Sequence, residues 1–197
     1  MIPAVFLDRD GVINRNRPEY VKGWEEFEFL PNALNALRRL AAFDWPVIVI
    51  TNQSIIGRAI VTRATVDDIH ERMVKSVANA GGRIDSIFCC PHRPDEICEC
   101  RKPRPGLLLR AAAQFSIDLR RSYLIGDAES DLQAARAAGC QAIFVKSGRG
   151  NDLLRRLNAD DLSSIHIEDD LDRAVLWIAS VSGIGQTESV SQLRVTP

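Results

Sequence analysis

Strand-like apolar runs alternate with longer segments of helical periodicity along this 197-residue chain, and that alternation constrains its fold more than any other feature. Most of the apolar runs are rich in β-branched residues and have no polar face, which is typical of strands buried on both sides of a sheet. The strand-like runs fall at 4–8, 46–52, 84–90, 122–127, 141–148 and 164–169. The helical patterns fall at 31–43, 62–82, 105–117, 130–139, 152–157 and 171–180. This order predicts an α/β fold, a doubly wound parallel sheet with helices on both faces.

The composition suits one globular domain. Hydrophobic residues make up 46% of the chain, and the formal net charge is −1. A balanced charge gives no general attraction to nucleic acid or to anionic membranes. No apolar run approaches the roughly 18 residues of a spanning helix, and the N-terminal segment lacks the basic start of a signal peptide. We therefore predict a cytoplasmic protein with a single domain at 1–180 and a polar tail at 181–197.

Acidic and polar residues end or follow three of the predicted strands. Asp8 and Asp10 follow the first strand, Thr51 and Asn52 end the second, and Asp127 ends the fourth. In open parallel sheets, ligands bind beyond the carboxyl ends of the strands. We expect these side chains to meet in one crevice if the three strands are neighbours.

Such a crevice suits a metal-dependent reaction at phosphorus. Converging carboxylates repel one another unless a hard cation lies among them, and magnesium prefers carboxylate, carbonyl, water and phosphate oxygens. A carboxylate can also attack phosphorus and form an aspartyl-phosphate. Asp8 and Asp10 could divide the work, one attacking and the other protonating the leaving oxygen, while Gly11 lets the backbone turn beside the phosphate. The structural alternative is that each Asp only caps a helix or a turn.

A second candidate metal site lies between the third strand and the next helix. Cys90, His92, Cys98 and Cys100 supply three thiolates and one imidazole, the donor set of a closed tetrahedral zinc site. In a reducing cytosol, such clustering indicates a metal more than disulfides. A chance cluster or a redox pair is the alternative.

The remaining cysteines and histidines are interpreted as structural. Cys89 is expected to point to the other side of its strand and to lie in the core, and Cys140, which follows a glycine, is also expected to pack in the core. His70 lies in the middle of a predicted helix and His166 in a predicted strand, and neither belongs to a cluster of metal-ligand type.

Four short motifs resemble, in order, those of the haloacid dehalogenase superfamily. They are DRDGV at 8–12, TNQ at 51–53, RKPRPG at 101–106 and GDAESD at 126–131. One such motif is weak evidence, whereas four in order are specific. The resemblance implies a Rossmann-like phosphatase that uses magnesium and an aspartyl-phosphate.

The resemblance also implies roles for individual residues. Asp8 would be the nucleophile and a magnesium ligand. Asp10 would act as acid and then base and offer its backbone carbonyl to the magnesium, while Asp127 would be the second carboxylate ligand. The phosphoryl oxygens would be bound by Thr51 and the backbone of Asn52.

Two further residues of these motifs would support the reaction. Lys102 would neutralise the charge of the phosphate and steady the nucleophile. Asp131 would orient Lys102 or a metal-bound water, or it could simply sit in the first turn of its helix.

The segments CPH (90–92) and CECRKPRPG (98–106) narrow the resemblance to the zinc-loop branch of the superfamily. That branch has no large cap domain and includes phosphatases of heptose bisphosphate and of histidinol phosphate. The heptose enzymes are the more similar, which implies a small phosphorylated sugar as substrate, removal of the 7-phosphate of heptose 1,7-bisphosphate, and a place in lipopolysaccharide synthesis. Substrate contacts would come from Arg101, from Arg58 and from the loops 14–28 and 52–60. The resemblance favours a monomer.

Two departures from the family pattern concern the substrate site. Ile55 and Ala59 stand where glycines flank the arginine in the family, and Ala128 stands where some members have a lysine. Neither departure affects the catalytic acids.

Several other functions stay open at this stage. Histidinol phosphate could replace the sugar with the chemistry unchanged. A DNA 3′-phosphatase would need a basic face, which the balanced charge disfavours. A phosphorylatable receiver domain would not need Asp10 or a zinc loop, and a non-catalytic zinc-stabilised domain would not need the complete set of acids.

Overall fold

The computed structural model describes residues 1–154 and 165–184 of the chain. One sheet contains the six strands β1 (Val5–Leu7), β2 (Val47–Asn52), β3 (Ser86–Cys90), β4 (Tyr123–Gly126), β5 (Gln141–Val145) and β6 (His166–Glu168). The α-helices of the described ranges are α1 (Ala33–Leu40), α2 (Ser54–Gly57), α3 (Arg63–Asn79), α4 (Gly106–Phe115), α5 (Glu129–Ala138), α6 (Gly150–Leu154) and α7 (Leu171–Ser182). Short 3-10 turns occupy Trp24–Glu26 and Leu119–Arg121.

All strand pairs are parallel, and their order is β3-β2-β1-β4-β5-β6. This confirms the prediction of a doubly wound parallel sheet. β1 lies between β2 and β4, with Leu7 opposite both Val49 and Ile125. The direction of winding reverses between β1 and β4, and such switch points form the ligand crevice of open α/β sheets. The residues that follow β1, β2 and β4 therefore emerge side by side.

Alternating side chains of β1 serve two different cores. Val5 and Leu7 are fully buried in a core that includes residues of α1, α3 and α7. Ala4 and Phe6 are buried in a second core, which includes residues of α4 and α5. Since successive residues of a strand point to opposite faces, an unbroken apolar run is needed to fill both layers. That requirement explains the strand-like runs of the sequence.

The elements differ in their boundaries from the sequence expectations. The helix predicted at 62–82 ends at Asn79, because Gly81 adopts a left-handed conformation with φ of 79°. The strand predicted at 141–148 ends at Val145, since the chain turns back toward β1 beyond it. The short helix α2 was not predicted.

Two predicted segments reach the limits of the described structure. The helix expected at 152–157 begins earlier, at Gly150, and residues beyond 154 lie outside the described ranges. The last helix extends to Ser182, with Asp170 capping its N-terminus by accepting a hydrogen bond from the backbone N–H of Arg173 at 2.9 Å. Most of the predicted tail, from 185 onward, also lies outside. Within the described ranges, no helix is long and apolar enough to cross a membrane.

Candidate active site

A cavity of about 550 Å³ opens at the edge of the sheet where β1, β2 and β4 end. Among the residues that line it are Asp8, Asp10, Asn52, Lys102 and Asp127, all of them predicted from the sequence. They come from four separate motifs and meet because the sheet order makes their strands neighbours. The convergence expected from the sequence is therefore observed for Asp8, Asp10, Asn52 and Asp127, whereas Thr51 does not line the cavity.

A buried lysine joins two of the acids at the floor of this cavity. Lys102 Nζ lies 2.9 Å from Asp8 Oδ1 and 2.6 Å from Asp131 Oδ1. It also donates a hydrogen bond to the carbonyl oxygen of Ile50 at 2.8 Å. Burial alone would lower the pKa of Lys102, but the charges of Asp131 and Asp8 outweigh it and raise that pKa. The lysine therefore stays cationic and orients one oxygen of Asp8.

The side chain of Asn52 holds the backbone of Lys102. Asn52 Oδ1 accepts a hydrogen bond from the backbone N–H of Lys102 at 3.1 Å, and Asn52 Nδ2 donates one to the carbonyl oxygen of Lys102 at 3.1 Å. This paired contact joins the end of β2 to a loop 50 residues away along the chain. Sequence reasoning assigned only the backbone of Asn52.

Asp131 both contacts Lys102 and lies in the first turn of its helix, which are two of the alternatives that the sequence left open. It forms the ion pair with Lys102, and its Oδ2 accepts a hydrogen bond from the backbone N–H of Ala128 at 3.1 Å, which caps the start of α5. With these two contacts, the carboxylate of Asp131 supports Lys102 and the start of α5. Of the three acids whose carboxylate oxygens lie within 4.8 Å of one another, Asp8, Asp127 and Asp131, the first two are left to face a ligand.

Asp8 and Asp127 fit a hard divalent cation. Each offers a carboxylate oxygen within 4.8 Å of the other. Burial raises the pKa of Asp8 to about 7, although Lys102 opposes the shift. Burial also raises the pKa of Asp127 to about 6, with Asp131 adding to the effect. Two buried oxygen donors that resist ionisation gain most from a bound cation, and all-oxygen donor sets suit magnesium.

Asp10 lies in different surroundings from those of its neighbour Asp8. Its Oδ1 accepts hydrogen bonds from Arg9 Nη2 at 2.9 Å and from Asn14 Nδ2 at 3.0 Å. Its Oδ2 accepts one from Gln53 Nε2 at 2.8 Å. Burial would raise the pKa of Asp10, but the Arg9 guanidinium and these hydrogen bonds outweigh burial and lower it. The two acids of the DRD motif are therefore held with their pKa values apart, which is typical of carboxylates with different catalytic roles.

The guanidinium of Arg9 lies almost fully buried beneath this site, with 1% of the residue exposed. Its Nη1 lies 3.1 Å from Nε2 of His70 in α3. Arginine can only donate, so His70 accepts through Nε2 and is neutral. Burial, reinforced by the charge of Arg9, lowers the pKa of His70 to about 3. The structural interpretation of His70 is confirmed, and the histidine supports the arginine that holds Asp10.

Of the other residues predicted to contact the substrate or its phosphate, Arg101 lines the cavity, whereas Thr51 and Arg58 do not. Arg101 lines the cavity and donates a hydrogen bond to the carbonyl oxygen of His92 at 3.2 Å. Thr51 is buried and accepts a hydrogen bond from Gln53 Nε2 at 2.8 Å, and it does not lie on the cavity wall formed by the described residues. Arg58 is exposed at the end of α2 and likewise does not belong to that wall.

The Cys/His cluster has the dimensions of a metal site. His92 Nδ1 lies 3.2 Å from Cys100 Sγ and 3.5 Å from Cys90 Sγ. Cys90 Sγ lies 3.3 Å from Cys100 Sγ and 3.9 Å from Cys98 Sγ. A tetrahedral ion with bonds of about 2.3 Å to sulfur sets sulfur atoms roughly 3.8 Å apart. The four side chains could therefore hold one metal ion in a closed shell.

Besides His70, three other cysteine and histidine residues lie outside this cluster. Cys89 is half-buried, so it is less enclosed than the core position that the sequence suggested. Cys140 is buried, as predicted. His166 stacks on Trp177, with ring centroids 3.7 Å apart, which agrees with a structural role.

Sequence reasoning missed the residues that hold the catalytic acids in place. Gln53 bridges Asp10 and Thr51, while Arg9 and Asn14 bind Asp10. Gln53 was visible as the third letter of the TNQ motif. An arginine between two acids at the end of a buried strand was also a signal, since a charged residue there is almost always paired.

The chain is similar to known phosphatases over most of its length. A profile of the HAD-hydrolase-like family matches residues 99–173. A D-glycero-beta-D-manno-heptose-1,7-bisphosphate 7-phosphatase from Bordetella bronchiseptica is 43% identical over 150 residues, which cover 76% of this chain and 84% of that protein. A phosphatase of the same name from Pseudomonas putida is 41% identical over 167 residues, which cover 82% of this chain and 95% of that one.

Solved structures give the same picture. The D,D-heptose 1,7-bisphosphate phosphatase from B. bronchiseptica, complexed with magnesium and phosphate, superimposes with a TM-score of 0.85 at 37% identity. The match covers 91% of this chain and 99% of that one. The corresponding enzyme from Burkholderia thailandensis superimposes with a TM-score of 0.68 at 33% identity, covering 90% and 99% of the two chains.

Proposed function

The chain belongs to the family of the D-glycero-D-manno-heptose-1,7-bisphosphate 7-phosphatases, phosphatases of the HAD-like hydrolases, and from this we propose its substrate and the roles of its residues. The proposed reaction is the magnesium-dependent hydrolysis of the 7-phosphate of D-glycero-β-D-manno-heptose 1,7-bisphosphate. The β anomer is the one in the names of the relatives from Bordetella bronchiseptica and Pseudomonas putida.

One observation carries the proposal: Asp8 and Asp127 face each other at the cavity floor while Lys102 binds Asp8 at 2.9 Å. A nucleophilic carboxylate beside a fixed cation suits phosphoryl transfer, in which catalysis is mostly positioning and charge neutralisation.

In the first step of the proposed cycle, Asp8 attacks phosphorus in line with the leaving oxygen. The bond from phosphorus to the sugar oxygen breaks, and that oxygen takes a proton from Asp10. Because Asp10 has a lowered pKa in the substrate-free protein, its proton would arrive with the substrate phosphate, whose second pKa is about 6. In the second step, Asp10 takes a proton from water, the water oxygen attacks phosphorus, and Asp8 is released.

Magnesium is proposed to bind at Asp8, Asp127 and the backbone carbonyl of Asp10. When bound, it supplies positive charge to the carboxylates and to the phosphoryl oxygens. The relative from Bordetella bronchiseptica contains magnesium together with phosphate, which supports the assignment.

Zinc is proposed as the ion of the Cys90, His92, Cys98 and Cys100 cluster, because three thiolates and one imidazole are a zinc donor set. Its role would be to order the loop that carries Arg101 and Lys102. The hydrogen bond from Arg101 to the carbonyl oxygen of His92 supports that link.

The substrate is proposed to lie between the loops 14–28 and 52–60, with Arg101 as a contact. Tyr20 and Asn16 of the first loop line the cavity, as do Gln53 and Ser54 of the second. Thr51 is proposed to contact the phosphoryl group from the end of β2, where its hydroxyl accepts a hydrogen bond from Gln53. Arg58, which is exposed at the end of α2, stays a predicted contact within the second of these loops. We propose a monomer, which the family resemblance favours.

A panel of phosphate esters tests the proposed substrate. Phosphate release would be measured with magnesium from both anomers of heptose 1,7-bisphosphate, fructose 1,6-bisphosphate, histidinol phosphate and a 3′-phosphorylated oligonucleotide. We expect the β heptose anomer to have the highest kcat/KM. Preference for histidinol phosphate would keep the mechanism and overturn the substrate, and preference for the oligonucleotide would overturn the sugar-phosphate assignment.

A further inference from the structure

The turn Ser147–Gly148–Arg149, which follows β5, reaches the metal-binding carboxylates from outside the four motifs. β5 is not adjacent to β1 in the sheet, yet all three residues of the turn contact the loop after β1 or the residue after β4. We propose that this turn is a positioning element for Asp127 and that Gly148 is its central residue. The inference rests on the proposed function, since it concerns the carboxylate assigned to magnesium.

Two hydrogen bonds attach the turn to the site. Ser147 Oγ donates to the carbonyl oxygen of Gly11 at 2.7 Å. The backbone N–H of Arg149 donates to Asp127 Oδ2 at 2.8 Å. The first bond fixes the turn to the loop that follows β1, and the second fixes one oxygen of the carboxylate. The backbone of the turn thus determines how the carboxylate of Asp127 is oriented.

Close packing between two glycines completes the contact. A Cβ atom on Gly148 would lie 2.2 Å from Asp127 Oδ2 and 2.5 Å from the Cα of Gly11. A Cβ atom on Gly11 would lie 2.1 Å from the same oxygen. Both glycines have positive φ, 61° and 90°, which L side chains rarely adopt. Asp127 is therefore enclosed between two backbone surfaces that only glycine can form.

This enclosure has a consequence for the metal. Ligands for a magnesium ion must be held near octahedral geometry, and small displacements weaken binding. Asp127 immediately follows β4, so its side chain could rotate if the turn that packs against it moved. The turn removes that freedom without using a side chain of its own on the carboxylate.

The test compares Gly148→Ala with the matched variant Gly139→Ala. Gly139 has φ of 78°, and a Cβ atom there would meet nothing within 4 Å in the described part of the chain. The two variants share the backbone strain of alanine at positive φ, and only Gly148→Ala adds a contact with Asp127. Magnesium binding would be measured by isothermal titration calorimetry, and the melting temperature by circular dichroism.

We expect both variants to lose melting temperature, but only Gly148→Ala to weaken magnesium binding, by at least about tenfold, or about 1.4 kcal/mol. Magnesium dissociation constants within twofold of each other for the two variants would overturn the inference. A wild-type protein that binds no magnesium would instead overturn the proposed function.

Gly148→Ala could fail to fold, in which case Ser147→Ala decides the matter. This variant lacks the hydrogen bond to Gly11 and adds no strain. We expect it to weaken magnesium binding by roughly threefold, and we expect Ser147→Thr, which keeps the hydroxyl, to restore it. Wild-type affinity in Ser147→Ala would overturn the inference.

Discussion

Asp8 is partly buried and lies beside a buried lysine, Lys102, that has two other partners, Asp131 and the carbonyl oxygen of Ile50. Replacing Asp8 with Asn removes the nucleophile but leaves Lys102 satisfied by those partners. We expect Asp8→Asn to lower kcat by at least about 10³-fold with little change in melting temperature. Steady-state phosphate release and thermal denaturation measure the two effects.

The control for that variant is Asp44→Asn, which changes an exposed carboxylate far from the cavity. It is expected to keep wild-type turnover. A rate within tenfold of wild type in Asp8→Asn would refute Asp8 as the nucleophile.

Ala59 occupies a backbone conformation that favours glycine, with φ of 55°. It is one of the two positions where the family pattern has glycine and this chain does not. Alanine in the left-handed region costs about 1–2 kcal/mol, while glycine adds conformational entropy to the unfolded chain. We expect Ala59→Gly to raise the free energy of unfolding by about 0.5–1 kcal/mol, measured by urea denaturation.

The same replacement at Ala80, where φ is −84°, relieves no strain. Ala80→Gly is expected to leave stability unchanged or to lower it. If Ala59→Gly were no more stable than Ala80→Gly, the backbone strain at Ala59 would not lower the free energy of unfolding.

At the scale of elements, the loop between β3 and α4 depends on the Cys/His cluster. It carries Arg101 and Lys102 into the cavity, and its ends are brought together at the four side chains of the proposed zinc site. We expect Cys98→Ser to lose the bound zinc and to lower the melting temperature by about 5–10 °C, because structural zinc contributes folding free energy directly. Metal analysis and calorimetry measure both, and phosphatase activity should fall with them.

Cys89→Ser is the matched control, since Cys89 is the neighbouring thiol and lies outside the cluster. It is expected to keep its zinc. A protein that contains no zinc and whose melting temperature does not change in Cys98→Ser would contradict the assignment.

At the scale of the whole molecule, the strand order places several carboxyl groups in one cavity, where burial opposes the ionisation of two of them. Burial raises the pKa of Asp8 to about 7 and that of Asp127 to about 6, both above their ordinary value of 3.8. Between pH 3.8 and about 7, these two carboxyls therefore hold more protons in the folded protein than in the unfolded chain, so their contribution to the stability of the metal-free protein should decrease as the pH rises. His70 opposes this trend below about pH 6.5, because its pKa is lowered to about 3 in the folded protein. Asp10 acts oppositely, since its lowered pKa contributes stability that is lost only as the pH falls below the usual carboxyl range.

Magnesium competes with the protons on these carboxyls, so its binding should strengthen as the pH rises. We expect the magnesium dissociation constant to fall by roughly 10–100-fold between about pH 5.5 and 7.5. Calorimetric titrations in two buffers of different ionisation enthalpy would also measure the protons released. Equal affinities at the two pH values would contradict the raised pKa values.

Periodicity and local motifs in the sequence determined the strands, the helices, the acids at the strand ends and the Cys/His cluster. Each of these depends on residues that are close together in the chain. A continuous apolar run identifies a strand covered on both faces, as in β1 and β2. The spacing of Cys90, His92, Cys98 and Cys100 places four candidate ligands on one short loop. Such local patterns can be recognised without knowledge of the fold.

Only the tertiary structure decided which partners hold the catalytic groups. The hydrogen bonds between Asn52 and Lys102 join residues that are 50 apart in the chain, and the one between Ser147 and Gly11 joins residues that are 136 apart. Arg58 matched a motif by position, yet it is exposed at the end of α2 and does not line the cavity formed by the described residues. The physical reason is that such contacts depend on the order in which the strands pair, and the spacing of residues along the chain does not contain that order.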